Sequence, residues 1–272
     1  MTNTKRLIAM FDSGLGGLTV LTALRRTVPD ADIIYAADTA RVPYGDRPLE
    51  EVAGFARQII AHLVHDDPTL LVIACGTSCS AFDRFGYEPQ NLETLPIVDC
   101  GVRAAVATTT SGRVGVIATA STINSSVFER KIQRVLPKAR VTSVGAPRLV
   151  PLVEAGAWDS DEARRAVEEY CLPFKKESCD TVVLGCTHFP LLRRWFERAL
   201  GPDVKIVDPA EQCAREAIPL LEPFGPGDGT VRFDVSGSVE QFVRWAHDLA
   251  GVTSAQVRHA DFSDQVKHPE YH

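Results

Sequence analysis

Cys75 and Cys186 are the residues around which a chemistry can be built. Leu70-Leu-Val-Ile-Ala-Cys-Gly-Thr77 and Thr181-Val-Val-Leu-Gly-Cys-Thr187 share one plan: an apolar run, a small residue, a cysteine, then threonine within two positions. In open α/β sheets ligands bind outside the carboxyl ends of strands, and both cysteines fall there. A single free cysteine usually packs as a small hydrophobe, so either one alone reads as core, whereas the matched pair reads as function. Two thiols facing one carbon suit proton transfer between its two faces. One, as thiolate, takes a proton from its side and the other, as thiol, returns a proton to the opposite side. Each then needs neighbours that tune its pKa from about 8.5.

Candidate neighbours stand at other strand ends. His188 follows Cys186 by two residues where strand gives way to helix, placed to exchange a proton with thiol or substrate. Asp12 closes the first strand in Met10-Phe-Asp-Ser-Gly-Leu-Gly-Gly17, as a crevice carboxylate, a helix N-cap, or both. In that turn Thr19 stands where a dinucleotide fingerprint needs its third glycine, which argues against NAD. Its backbone N–H groups suit a substrate carboxylate better. Asp38-Thr-Ala-Arg-Val-Pro-Tyr-Gly45 adds a second strand-end carboxylate and a Pro-Tyr-Gly turn that reads equally as pocket wall or ordinary surface loop. A zinc site from Cys75, Cys79, Cys186 and His188 lacks the usual ligand spacing, so no metal is expected. A Cys-His hydrolase leaves the second strand-end cysteine unexplained. No lysine lies in a glycine-rich strand-end turn suited to a pyridoxal Schiff base, and no cofactor is expected.

The elements that must position these residues are legible as short β-branched runs alternating with amphipathic stretches, the pattern of βα units feeding a mainly parallel sheet. Strands are predicted at Leu7 to Phe11, Ile33 to Ala37, Leu70 to Ala74, Ile97 to Val98, Val114 to Ala118, Val141 to Val144, Thr181 to Leu184 and Val204 to Val207. Helices are predicted near 18–28, 49–65, 101–110, 122–135, 161–177, 189–200, 209–222 and 238–249, with Glu222-Pro-Phe-Gly-Pro-Gly-Asp-Gly229 as a loop. A chain of 272 residues has room for two such units. Its net charge of -6 and pI near 5.7 offer no basic stripe, so nucleic acid is not an expected partner. No apolar run has the length of a membrane span and the start does not read as a signal peptide. Seven cysteines at irregular spacing suit reduced thiols in a cytoplasm.

Phe11-Asp-Ser-Gly-Leu-Gly-Gly17, Asp38-Thr-Ala-Arg-Val-Pro-Tyr-Gly45, Ala74-Cys-Gly-Thr77 and Leu184-Gly-Cys-Thr-His-Phe-Pro190 together closely resemble the glutamate racemases of the aspartate/glutamate racemase family. Gly115-Val-Ile-Ala-Thr-Ala-Ser-Thr122, Leu149-Val-Pro-Leu-Val-Glu154 and Ile206-Val-Asp-Pro-Ala-Glu211 extend the resemblance along the chain. It implies a cofactor-independent, two-base racemase of cytoplasmic glutamate that supplies D-glutamate for peptidoglycan. It also implies two similar α/β domains, residues 1–98 plus 208–272 and residues 99–207, with the active site between them, and a homodimer. By the same resemblance Cys75 acts on the D-enantiomer and Cys186 on the L-enantiomer, with Asp12 and His188 assisting and Asp38 and Glu154 supporting. Asp12, Ser13, Tyr44, Gly45, Gly76, Thr77, Thr187 and His188 would line the substrate site. One departure stands out: the family pattern after the first cysteine is Asn-Thr, whereas here Gly76 precedes Thr77. A lost hydrogen bond to a charged group costs about 1.5–3 kcal/mol. Gly76 therefore also admits a same-fold protein acting on another amino or carboxylic acid, or one that binds ligand with little turnover.

Overall fold

Strand runs that are apolar throughout, rather than alternating, demand a parallel sheet covered on both faces. The computed structural model, which describes residues 5–87, 89, 91–251 and 256–263, contains two such sheets. Its first half carries β1 (Leu7–Asp12), α1 (Gly17–Thr27), β2 (Asp32–Ala37), α2 (Leu49–Leu63), β3 (Leu70–Ile73), α3 (Gly76–Phe85), β4 (Thr94–Pro96) and α4 (Ile97–Thr108). Then come β5 (Arg113–Ala118), α5 (Ala120–Asn124), α6 (Val127–Val135), β6 (Arg140–Gly145), α7 (Leu149–Glu154), α8 (Asp161–Lys176) and β7 (Thr181–Leu184). The chain continues through α9 (Arg193–Leu200), β8 (Lys205–Val207), α10 (Pro209–Leu221), β9 (Val231–Val235), α11 (Val239–Ala250) and β10 (Gln256–His259).

The first sheet has the order β10-β9-β2-β1-β3-β4 and the second β6-β5-β7-β8. Every pairing is parallel. β3 and β7, the strands that lead to the two cysteines, are buried along their whole length. β3 lies beside β1 in its sheet, and β7 lies between β5 and β8 in the other. The protein is thus an α/β molecule of two domains, each a parallel sheet flanked by helices. After β8 the chain returns through α10, which packs on both α1 and α4, and β9 then pairs with β2 in the first sheet. Residues 1–4 and 264–272, assigned above to the first domain, lie outside the described residues. Among the described residues no helix is long and apolar enough to cross a membrane.

Several elements differ from the expectation. Ile97 and Val98 do not form a strand: β4 precedes them, and they open α4 with both side chains buried. A short apolar run cannot by periodicity be told from a buried first helical turn. The stretch expected as one helix at 122–135 is two, because Ser126 between α5 and α6 takes a left-handed φ of 55°. The expected helix at 189–200 opens as a 3₁₀ turn over Phe189–Leu192 before α9. α3 and α7 were absent from the expectation because Gly, Ser and Thr in the one and Pro151 in the other are poor helix formers. β9 and β10 were absent too.

β9 carries a buried ion cluster that ties the returning segment to the first sheet. Asp234 accepts hydrogen bonds from Arg258 Nε at 2.6 Å and Arg232 Nη2 at 3.3 Å, and its Oδ2 lies 2.8 Å from His62 Nε2. Burial alone would raise its pKa, but the His62 and Arg258 hydrogen bonds and the Arg232 charge hold it well below the usual carboxylate range. A carboxyl with a depressed folded pKa contributes stability above its unfolded value of about 3.9, and that contribution is lost as pH falls through the folded pKa. Asp234→Asn is therefore expected to cost about 3 kcal/mol at neutral pH, the low end for a broken buried pair because the guanidinium groups reach solvent. It should also flatten the acid-side decline of the thermal midpoint. Equal acid sensitivity of variant and parent in calorimetry contradicts this.

Candidate active site

The site forms where the carboxyl ends of β1, β3 and β7 meet. β1 ends in Asp12, fully buried, whose Oδ1 accepts the Gly14 N–H at 3.0 Å and whose Oδ2 accepts the Thr187 hydroxyl at 3.1 Å. That second bond joins the two domains. Burial lifts the Asp12 pKa, opposed by the charge of His188 and by the Gly14 and Thr187 hydrogen bonds. The glycines of the turn are required by close approach. A Cβ on Gly16 would lie 2.6 Å from His188 Nδ1 and collide with Thr187 Oγ1, and one on Gly17 would lie 2.6 Å from Asp12 Cβ. The Tyr35 hydroxyl, donating to Gly14 O at 2.7 Å, fixes the turn from β2.

Cys75 leaves β3 through Ala74 and becomes the N-cap of α3, its Sγ accepting the Ser78 N–H at 3.5 Å. Burial and then the Asp12 charge push its thiol up to about 11, against hydrogen bonds from Ser78 and Ser13. Cys186 leaves β7 through Gly185, and its Sγ lies 3.7 Å from His188 Nδ1. The other ring nitrogen, Nε2, lies 2.6 Å from Glu154 Oε1 on α7. Burial presses the imidazole pKa down, yet the Cys186 and Glu154 hydrogen bonds and charges raise it well above its ordinary value. An imidazolium here donates to both the sulfur and the carboxylate.

Cys75 and Cys186 line one cavity, together with Ser13, Tyr44, Gly45, Gly76, Thr77, Thr187 and His188. Asp12, Asp38 and Glu154 stand behind its wall. Asp38 accepts Arg41 Nε at 2.6 Å, the Ser236 hydroxyl at 2.7 Å and the Tyr44 hydroxyl, and so pins the turn that carries Tyr44 and Gly45. Gly45 O then accepts the Ser121 N–H and hydroxyl from α5, across the cleft, at 3.1 and 2.7 Å. Gly76 is equally constrained: its missing Cβ would lie 2.7 Å from Gly185 O. The side-chain amide that the resemblance leads one to expect has no room in this arrangement.

Sequence reasoning missed Thr119, Thr122, Pro147, Val150 and Pro151, which also line the cavity. Thr119 bonds Thr122 Oγ1 at 3.0 Å and lies 3.1 Å from Thr77 Oγ1, a hydroxyl chain across the cleft. Its signal was available, since it follows the end of β5 just as Cys75 follows β3. Cys79, weighed above as a metal ligand, instead donates its thiol to Ile73 O at 3.5 Å. Among the described residues no group of three or more His, Cys, Asp or Glu side chains is placed to hold a metal ion.

Residues 18–217 match the model of the Asp/Glu/Hydantoin racemase family. The chain belongs to this racemase family. Glutamate racemase 2 of Caldanaerobacter subterraneus subsp. tengcongensis is 39% identical over 251 residues, covering 90% of this chain and 94% of that one. Among solved structures, glutamate racemase isoform RacE1 from Bacillus anthracis superposes with a TM-score of 0.90 at 34% identity, covering 95% and 98% of the two chains. The glutamate racemase of Francisella tularensis in complex with D-glutamate gives a TM-score of 0.86 at 26% identity, covering 96% and 99%. This racemase therefore has its family's two-domain fold over nearly its full length.

The glycine contacts generate a stability test. Because Thr187 is held by Asp12 and His188 by Glu154, neither yields cheaply to a new methyl group. Gly16→Ala is expected to destabilise the protein by about 2 kcal/mol and to lower activity. Gly54→Ala in α2, with nothing within 4 Å of its added Cβ, is expected to stabilise by about 0.5–1 kcal/mol without affecting activity. Denaturant unfolding that shows the two variants equally stable contradicts this.

Proposed function

We propose that this racemase interconverts L- and D-glutamate by two-base proton transfer, with Cys75 and Cys186 as the bases. The observation that carries the reading is that the two cysteines, which follow strands of different sheets, line one cavity. In one direction Cys186, as thiolate, takes the α-proton of L-glutamate on its face. Cys75, as thiol, gives its proton to the opposite face, leaving Cys75 as thiolate and Cys186 as thiol; D-glutamate reverses each transfer. His188 serves Cys186 as a cationic hydrogen-bond donor, kept in that state by Glu154. Asp12 serves the Cys75 side.

Among the described residues no lysine or arginine lines the cavity. Substrate carboxylates are met instead by the N–H groups opening α3, which favour anions, within a wall of Ser13, Thr77, Thr119 and Thr187. Tyr44, Gly45 and Gly76 shape the remaining wall. The same reading includes cofactor independence, a cytoplasmic setting and supply of D-glutamate to peptidoglycan, together with the domain division 1–98 plus 208–272 and 99–207. The likeness to the Bacillus anthracis glutamate racemase, and to the Francisella tularensis glutamate racemase solved with D-glutamate, supports glutamate as the substrate.

Incubation with L-glutamate in D₂O, without added cofactor, is expected to give D-glutamate deuterated at the α-carbon. Cys75→Ser and Cys186→Ser should each lower kcat at least about 100-fold, the usual scale for a lost acid/base group. Calorimetric binding of glutamate with no exchange overturns the racemase reading in favour of a binding protein, which Gly76 motivates. Full activity in either serine variant overturns the two-base assignment. Glu154→Gln is expected to move the alkaline limb of the kcat/KM profile to lower pH. The sign follows because Glu154 raises the His188 pKa, so its loss lets the imidazolium deprotonate earlier; an unmoved alkaline limb contradicts the role given to His188.

A further inference from the structure

Ser78 stands one turn into α3 from Cys75, and its side chain is, with that of Thr181 in β7, one of two buried hydroxyls left without a partner among the described residues. It is 0% exposed, and its Oγ has no hydrogen-bond partner among the described residues. Helical serines and threonines normally bond the carbonyl four residues back. Ser80 does so to Gly76 O at 2.9 Å, Thr22 to Leu18 O at 2.8 Å and Thr108 to Ala104 O at 2.7 Å. A buried hydroxyl left unpaired costs about 1–3 kcal/mol. Two features show what it lacks. The backbone N–H of the same residue already donates to Cys75 Sγ at 3.5 Å, so the hydroxyl starts from a residue anchored on the sulfur. Position 76, which the resemblance fills with an amide, offers no side chain and is closed to one by Gly185 O.

We propose that Ser78 is a positioning residue whose hydroxyl turns onto the Cys75 sulfur when the thiol gives up its proton, and so holds the thiolate in the cleft. The proposal rests on the two-base reading, because that reading makes Cys75 alternate between thiol and thiolate. No oxidant or co-reactant is involved: the proton leaves Cys75 for the substrate carbon, and the Ser78 O–H keeps its own proton while donating. The Ser78 side chain already lies within reach of that sulfur, which becomes the stronger acceptor once it is anionic.

The groups facing Cys75 leave this task to neutral donors. Asp12 from β1, Tyr35 from β2, Tyr44 from the turn after β2 and Cys79 within α3 all interact with it electrostatically. None of these is a cation. His188, across the cleft, faces Asp12, Cys186 and Glu154. The Ser78 N–H, the Ser78 side chain and the Ser13 side chain oppose the burial and the Asp12 charge that disfavour a thiolate there.

Ser78→Ala separates this role from packing. Removing an unpaired buried hydroxyl leaves stability unchanged or slightly increased. The rate of iodoacetamide alkylation at Cys75, resolved from Cys79 by tandem mass spectrometry, is followed against pH in parent and variant. The expected result is a midpoint about one pH unit higher, a roughly tenfold slower alkylation near pH 8 and, with D-glutamate as substrate so that Cys75 is the base, an equal upward move of the acid limb of kcat/KM. An alkylation profile that does not move overturns the proposal, whatever happens to activity or thermal midpoint. Alkylation needs no turnover, so absence of glutamate exchange in the parent would sink the racemase reading while leaving this hydrogen bond tested separately.

Discussion

The structure depends on how closely the strand ends of two sheets can be brought together. Three glycines set that separation: Gly16 against Thr187 and His188, Gly45 against Thr119, and Gly76 against Gly185 O. At each, a single methyl group would have to displace backbone or a side chain already held by another hydrogen bond. Close-packed interiors transmit such a displacement rather than absorb it. The distance between the two sulfurs is therefore a property of the glycine positions as much as of the cysteines.

The two sides of the cleft are electrostatically unlike. Cys75 sits in a buried, hydroxyl-rich setting with a carboxyl group behind it, which favours the neutral thiol. Cys186 has a histidine 3.7 Å away whose pKa is raised by its contacts with Cys186 and Glu154, against the effect of burial. Pairs of titratable groups whose surroundings differ in this way are how a single site holds an acid and a base at one pH. The asymmetry comes from elements of both domains, since Glu154 and His188 belong with the second sheet while Asp12 and Ser78 belong with the first. Closure of the cleft and the division of protonation states are thus one structural fact.

The chain announces much of this locally. Asp12, Cys75 and Cys186 each end an apolar run, and strand ends are where α/β sheets hold ligands, so their convergence follows from the pattern. The glycine-rich turn after β1 reads as a close approach once a residue must face it. Other parts depend on spatial neighbours that no local signal names. Thr119 and Pro147 reach the cavity because β5 pairs with both β6 and β7. Val231-Arg-Phe-Asp-Val235 alternates as a strand does, but Arg232 and Asp234 read as surface until Asp66, His62 and Arg258 are brought to them. α3 is the clearest case: its first turn is poor in helix formers, yet its N-terminus and Ser78 surround the Cys75 sulfur.

A crystal structure of the protein with glutamate bound tests most directly whether one carbon is served from two sides. The expected result is the substrate α-carbon lying between the sulfurs of Cys75 and Cys186, each about 3–3.5 Å away on opposite faces, the separation of a reaction-ready pair. A complex in which only one sulfur approaches the α-carbon, or both approach the same face, contradicts it.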